Sequence, residues 1–502
     1  MRPGGGNMER ANQEARPSDP SYIPPMLPKP FTWNRAEARA GKFNGKFIIG
    51  VHSTGIYCLP SCTARQPKPE NVRLYRTEAE AQAAGLRACK RCRPDLFYRG
   101  EDEDISLFEG LIGRVRGRVA DFADTGALAN ACGVSQTKLG ELFRDHAHMA
   151  PAAWLRRERV RHAAEALLQG DERVVDIGYA AGFESESVFH RQFLALTRMT
   201  PGAYRALRGA SVFLLQLPGA YRANEILAYH DRDRESPTER VRENRIFKAL
   251  QTPDGPAVLE LSLEGEGAWA RVHPERKLSR ESAALLHNSA LKMLGLMGDV
   301  SGFETRVAKN SKAAAFFAKR RGLRLPLIPT GFDGLCWAII GQQINVPFAA
   351  SLRREILHLA GEKIGDMRTH PGAERIAGLD PKELTSRRYS RSKAAYLIGA
   401  AKDVAEGKLD IENLPQGSAR AAEQKLTATR GIGTWTARYF MLRGGFADAA
   451  PVGDSALATA LQRLNKMDER PAHDEVDKLM KAFAPHRSLA TCHLWASLKD
   501  AA

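Results

Sequence analysis

No run of about 18 apolar residues occurs in this 502-residue chain, which excludes a membrane-spanning helix. The start, residues 1–30, lacks even a short apolar core and is rich in proline, glycine and charge. That points away from a secretory signal and predicts a disordered tail. Cysteine is scarce: seven residues at this length make no disulfide scaffold, and without a signal the expected compartment is reducing. No repeat of fixed period appears. Acidic residues are outnumbered, 58 Asp+Glu against 74 Lys+Arg, for a formal charge of +16. This imbalance favours a polyanionic partner, nucleic acid before an anionic membrane surface. The apolar fraction of 43% supplies ordinary cores, and the length suggests about three or four domains at ~150 residues each.

Four of the seven cysteines fall together. Cys58-x3-Cys62 is followed after 26 residues by Cys89-x2-Cys92, two close pairs that can give four thiolates to one tetrahedral Zn²⁺. Between Gly41 and Arg99 stand eleven Lys/Arg and four Asp/Glu. A centre of four thiolates and one Zn²⁺ adds two negative charges and leaves the segment at about +5. Such a basic shell suits phosphate contact, a solvated basic face being the bland alternative. Phe47 to Val51 reads as a strand, Glu78 to Leu86 as a helix, and Glu101-Asp102-Glu103-Asp104 as an acidic linker.

The stretches Gly50 to Cys62 and Ala88-Cys89-Lys90-Arg91-Cys92-Arg93-Pro94-Asp95 resemble the zinc domain of Ada-type adaptive-response regulators over about 35–98. The resemblance implies that Cys58, besides being a metal ligand, accepts a methyl group irreversibly from a DNA methylphosphotriester. Thioether formation removes one negative charge beside DNA, so repair can act as a switch.

Residues 105–208 are densely helical, with breaks at Gly133, Gly170 and Gly182. Ala127 to Ser135 followed by Gln136 to Asp145 fits helix, glycine turn, helix, with Ser135 as N-cap. The pattern recurs from Val175 through Gly182 to Leu194. Taken singly, such apolar spacing is mostly core signal. Two units ending in Thr200-Pro201-Gly202-Ala203-Tyr204-Arg205 resemble the AraC-type DNA-binding domain. That implies two recognition helices in successive major grooves, with Gln136, Thr137, Lys138, Ser185, Ser187 and His190 as candidate readers. Fourteen Lys/Arg against twelve Asp/Glu leave this segment nearly neutral, so its DNA affinity is expected to lean on the basic zinc domain. Gly178 stands where that family usually has alanine, a small departure of little expected consequence for contact, and Cys132 reads as core.

Val212 to Leu217 and Ala257 to Leu261 read as strands, and from about Arg280 the chain turns helical again. Arg430-Gly431-Ile432-Gly433-Thr434-Trp435 lies between helical stretches, and Pro451-Val452-Gly453-Asp454 opens a new helix about twenty residues on. Alone, the first is an ordinary helix–helix turn and the second an ordinary N-cap. Together with Gly341-Gln342-Gln343, Tyr439 and His493-Leu494-Trp495 they resemble the helix–hairpin–helix DNA glycosylases, more narrowly the AlkA-type 3-methyladenine DNA glycosylase, over about 211–498.

The resemblance assigns Asp454 as catalytic carboxylate, Trp435, Tyr439 and Trp495 as walls of the base pocket, and Gly431 and Gly433 as phosphate-binding glycines. Trp435 stands where strand-cleaving relatives carry lysine, so a monofunctional enzyme is expected. Gln343 takes the place of an apolar wedge, and no iron–sulfur cysteine set appears. Ala490-Thr491-Cys492-His493 only superficially matches the Pro-Cys-His-Arg site of O6-alkylguanine methyltransferases and is not assigned that role.

The sequence thus predicts a multidomain α+β chain. A tail (1–30) precedes a zinc/methyl-acceptor domain (31–100), an all-α double helix–turn–helix domain (105–208), an AlkA-like α/β subdomain (211–290) and a helical glycosylase domain (291–498). One Zn²⁺ is the expected cofactor. Alkylated duplex DNA, promoter DNA and RNA polymerase are the expected partners, with no membrane, in the cytoplasm at the nucleoid. Two rival readings keep fewer functions: a regulator with an inert glycosylase-like domain, and a repair enzyme with a purely architectural zinc.

Overall fold

The structure is a computed structural model that describes residues 37–38, 41–100 and 102–501. The expected tail lies outside these. The chain divides into two compact units, residues 1–106 and 107–502. No described helix is long and apolar enough to cross a membrane.

In the first unit, β1 (Ile48–Val51), β2 (Ile56–Cys58), β3 (Val72–Tyr75) and β4 (Arg87–Ala88) form one sheet in the order β3-β1-β2-β4. The β2–β4 pair is parallel, with Tyr57 opposite Ala88. Among the described residues its core is two small apolar clusters, one around Phe47 and Val72 and one around Ile48 and Tyr57. Of the expected acidic linker, Asp102, Glu103 and Asp104 lie at the start of a helix. Asp102 Oδ1 accepts the amides of Asp104 and Ile105, and the helix runs from Glu103 to Gly117. Carboxylates at a helix N-terminus are favoured by its unpaired N–H groups and dipole, which a reading of charge alone overlooks.

Both helix–turn–helix units form. Helices Thr125–Cys132 and Gln136–His146 are joined through Gly133 at φ 66°, and Ser135 caps the second by accepting from Lys138 N. Helices Val174–Ala180 and Glu186–Thr197 repeat this arrangement, with Gly182 at φ 86° and Ser185 as cap. Gly178 serves packing: a Cβ there would lie 2.7 Å from Phe189 Cδ1, so its absence lets that ring seat.

The first unit of this pair packs around Phe108, Phe143 and Trp154. The second shares one core with the sheet that follows. Phe189, Phe193 and Tyr204 are continuous with Phe213, Leu259 and Leu286, and His287 Nε2 donates to the Thr197 carbonyl at 2.8 Å. That sheet is antiparallel, β5 (Val212–Gln216), β6 (Glu239–Arg242), β7 (Arg245–Thr252), β8 (Gly255–Glu264) and β9 (Gly267–His273), in the order β5-β9-β8-β7-β6. Helix Arg280–Met293 runs through the boundary expected at 290–291. The remaining helices enclose the largest core, around Leu335, Ile339, Leu397, Phe440 and Leu494.

A buried ionic cluster joins the sheet to the helical part. Lys248, 2% exposed, sits 3.2 Å from Glu239 and 3.5 Å from Asp333, and Arg353 Nη2 donates to both Asp333 oxygens at 2.7 Å. Burial alone would raise the Asp333 and Glu239 carboxyls, but these cations hold both well below the usual range. Burial also pushes the His287 and His370 imidazoles down to about 4, so both are neutral in the folded protein.

A depressed histidine gives stability that is full above its unfolded pKa of about 6.5 and is lost as pH falls toward the folded value. The two carboxylates add a further loss below about 4. The urea midpoint of the 107–502 transition is therefore expected to fall steadily between pH 6.5 and 4 and to collapse below. A midpoint constant from pH 6.5 to 4.5 would contradict this.

Candidate metal centre and nucleic-acid cleft

The parallel β2–β4 pairing builds the metal site. Cys58 ends β2 and Cys89 follows β4, its amide bonded to the Tyr57 carbonyl at 2.9 Å, so two ligands start side by side. Turns bring back the other two: Cys62 N bonds Leu59 O, and Arg93 N bonds Cys89 O. All four sulfurs lie within 4.8 Å of one another. A Zn²⁺ with ~2.3 Å bonds to sulfur needs sulfurs about 3.8 Å apart, so the set fits one tetrahedral ion. The Leu59 amide points at Cys92 Sγ and the Arg91 amide at Cys89 Sγ, both at 3.4 Å, which favours thiolates. Cys89 is buried and the other three are half-buried. One Zn²⁺ site is what this residue set makes.

The second site is a cleft of about 910 Å³ in the helical part, lined by Gln343, Gly431, Gly433, Trp435 and Asp454 among others. Five of the residues singled out from the sequence therefore meet there. Helix Ala419–Ala428 leads into the hairpin and helix Thr434–Gly444 leaves it. Gly431 has φ 87°, and a Cβ on it would collide with the Tyr396 ring at 2.2 Å. A Cβ on Gly433 would meet open space, and Gly433 gives its helix no side-chain cap, which leaves that helix's first N–H groups without one.

Asp454 caps helix Ser455–Asn465. Its Oδ1 accepts from Leu457 N at 2.7 Å and from Trp495 Nε1 at 3.0 Å. Gly453, at φ 98°, makes the turn that presents it. Trp435 stacks on Tyr439 at 5.3 Å with 20° between planes, and Trp495 lies 6.1 Å from Tyr439. Tyr439 and Trp495 are not among the cleft-lining residues and are packed behind Trp435. Burial alone would raise the Tyr439 phenol, yet Arg443, Arg232 and the Trp337 indole N–H, 3.0 Å from its oxygen, bring it below its ordinary value.

Sequence reading missed several residues that set this geometry. Gln342 Nε2 donates to Gly431 O at 2.8 Å and to Thr436 Oγ1 at 3.0 Å, tying the Gln343 loop to the hairpin. Lys393 Nζ donates to the carbonyls of Ile339, Ile340 and Gln342, which fixes the turn holding exposed Gln343 at φ 56°. The Gln342-Gln343 doublet was a visible signal; nothing local marks Lys393 or Tyr396.

The six helix–turn–helix candidates stay apart from the cleft. Gln136 and Thr137 are exposed and Lys138 half-buried in the first turn of their helix. Ser185 Oγ is engaged as a cap, Ser187 Oγ lies 3.4 Å from it, and His190 lies 3.8 Å from Glu186.

Comparison with known proteins agrees with this division. The metal-binding domain of Ada matches residues 32–95, a helix–turn–helix domain 128–207, and the HhH-GPD superfamily of base excision DNA repair proteins 336–486. A probable bifunctional transcriptional activator/DNA repair enzyme AlkA of Mycobacterium tuberculosis is 25% identical over 92% of this chain and 95% of its own. The DNA-3-methyladenine glycosylase of Bacillus subtilis is 28% identical over 57% of this chain and 97% of its own. The bifunctional transcriptional activator/DNA repair enzyme Ada of Escherichia coli is 33% identical over 34% of this chain and 48% of its own. Among solved structures, the 3-methyladenine DNA-glycosylase from Archaeoglobus fulgidus shares the fold over 56% of this chain and 97% of its own, at 19% identity and a TM-score of 0.50. The chain therefore carries, in order, an Ada-type metal-binding domain, an AraC-type helix–turn–helix domain and a base-excision domain of the HhH-GPD superfamily.

Proposed function

We propose that this protein senses and repairs alkylated DNA: Cys58 takes methyl groups from phosphotriesters and thereby switches promoter binding, while the Asp454 cleft excises alkylated purines. The observation that carries the repair reading is Asp454, held in a fixed rotamer by Leu457 N and Trp495 Nε1 at a cleft walled by the hairpin and Trp435. The DNA-3-methyladenine glycosylases among its relatives support the substrate class.

In the cleft, the hairpin's free N–H groups hold a phosphate and the damaged nucleotide is flipped out. The bond from C1′ to the base nitrogen breaks, its electron pair leaving with the base. An alkylated purine is already cationic, so it departs neutral without a proton donor. Asp454 stabilises the positive charge on the sugar, and a water oxygen then bonds C1′ and releases its proton to solvent. Trp435 offers no amine, and the Lys393 ammonium is tied to three carbonyls. No Schiff base forms there and the strand stays intact.

At the metal centre, bound Zn²⁺ keeps the thiols deprotonated. Cys58 Sγ attacks the methyl carbon of the triester, the carbon–oxygen bond breaks, and a phosphodiester anion leaves. The centre goes from two negative charges to one beside Lys90 and Arg91, both exposed. Promoter DNA, read by the helix–turn–helix units, is then bound more tightly, and RNA polymerase is the recruited partner.

Titration of promoter DNA before and after exposure to methylphosphotriester DNA tests the switch. Roughly one unit of charge near phosphates predicts several-fold tighter binding at low salt, shrinking as salt rises. Equal affinities at matched low salt would remove the switch. Release of 3-methyladenine without strand nicking tests the repair activity.

A further inference from the structure

The aromatic wall behind the cleft continues beyond Trp495. Trp337 Nε1 donates to Tyr439 Oη, and the buried Arg443 guanidinium lies 5.5 Å from the Trp495 ring, 6.0 Å from Tyr439 and 5.1 Å from Tyr229. Tyr229 comes from the α/β subdomain, on helix Ala223–His230. Just past that helix, Arg232 lays its guanidinium 4.0 Å from the Tyr229 centroid and 5.9 Å from Trp337. Unlike Arg443, Arg232 is exposed.

Among the described residues no carboxylate pairs with Arg232, although it is flanked by two. Asp231 bonds Arg234 and Asp233 bonds Arg354. A planar cation is thus held on an aromatic surface by ring contact alone. Its effect reaches Tyr439, whose phenol it helps to lower. A continuous chain of contacts runs from Asp454 through Trp495, Tyr439 and Trp337 to Arg232.

Rings that hold one planar cation hold another. Trp435 and Tyr439 stack directly, which leaves no gap for a base between them. Arg232 is the exposed cation on that wall. We propose that Arg232 is a resident stand-in for the cationic base: it occupies the aromatic wall in the empty enzyme, must swing out when an alkylated base enters, and so sets the enzyme's selectivity between cationic and neutral purines. This rests on the excision reading of the Asp454 cleft. It also gives the α/β subdomain a role at the site, since Tyr229 and Arg232 both belong to it.

The test uses the full-length zinc-loaded protein and two free nucleosides of nearly equal shape. One is 7-methylguanosine, at slightly acid pH where its ring is cationic; the other is neutral guanosine. Binding is read by quenching of tryptophan fluorescence. Arg232→Gln removes the competing cation and is expected to bind 7-methylguanosine about 5–10-fold more tightly, with guanosine unchanged. Arg232→Lys keeps a positive charge and is expected to stay near wild type.

In excision of 3-methyladenine, Arg232→Gln is expected to lower KM with little change in kcat. Equal tightening of both nucleosides would mean that the side chain only blocks space. No change in either, or no binding of either by any variant, would equally overturn the proposal. A wild type that releases no base, while Arg232→Gln still gains affinity for the cation alone, would leave the assignment of Arg232 standing and remove the excision reading.

Discussion

Asp454→Asn is expected to slow single-turnover release of 3-methyladenine by roughly 10²–10³-fold or more while leaving the fold untouched. The two halves of this expectation have separate causes. As N-cap, the side chain needs only an oxygen to accept from Leu457 N, and asparagine supplies one as well as aspartate does. That same oxygen keeps the bond from Trp495 Nε1. What asparagine removes is the negative charge proposed to stabilise a sugar that becomes positive, and a half-buried charge fixed beside the Trp435 cleft wall and the Trp495 indole is poorly replaced by water.

Asp454→Ala gives the contrast. It should lose the same activity and also about 0.5–2 kcal/mol of stability, because cap and indole partner both go. Affinity for undamaged duplex should change little in either variant, because the proposed phosphate contact belongs to the hairpin at Gly431 and Gly433. Release by the Asn variant at the wild-type rate would strip Asp454 of its assignment.

Cys89→Ala is expected to abolish zinc binding and, with it, ordered structure in residues 41–100. The apolar clusters there bury few side chains, and a domain this small does not usually hold its fold on such a core. Structural zinc in small domains contributes on the order of 10–16 kcal/mol, far more than those clusters can supply. Cys89 is the buried ligand, and its amide anchors the strand pair that brings the ligands together. Metal analysis and amide-exchange protection of β1–β4 would show the loss. The cores of the 107–502 unit contain none of these residues, so its thermal transition and base release should persist. One equivalent of zinc with protected strands in Cys89→Ala would sink the four-thiolate assignment.

Much of this was legible in the chain itself because it is local. The Cys-x3-Cys and Cys-x2-Cys spacings, the Ser135 and Ser185 caps, the left-handed glycines 133 and 182, and the Gly-x-Gly hairpin with Asp454 at the next helix start each depend on a few neighbouring residues. Local propensity and hydrogen bonding decide such features, so they survive in any context. Asp102 to Asp104 of the acidic run, expected as a linker, lie at a helix start for the same reason read the other way. Its charge suggested solvent, but its position before an apolar periodic stretch made it a helix start.

By itself, then, the sequence determined which chemical groups this protein has and roughly which elements carry them: a four-cysteine cluster, two helix–turn–helix units, a hairpin and a carboxylate. Only the tertiary structure decided what those groups face. That the second helix–turn–helix unit shares a core with a five-stranded sheet, that Tyr396 rather than a neighbour requires Gly431 to be glycine, and that Lys393 sets Gln343 are facts of residues 35 to 90 positions apart. The same holds for Trp495 reaching Asp454 and for Arg232 lying on Trp337. Such contacts follow from how whole helices and sheets pack to bury apolar area, and burial constrains a side chain's class far more tightly than its partner.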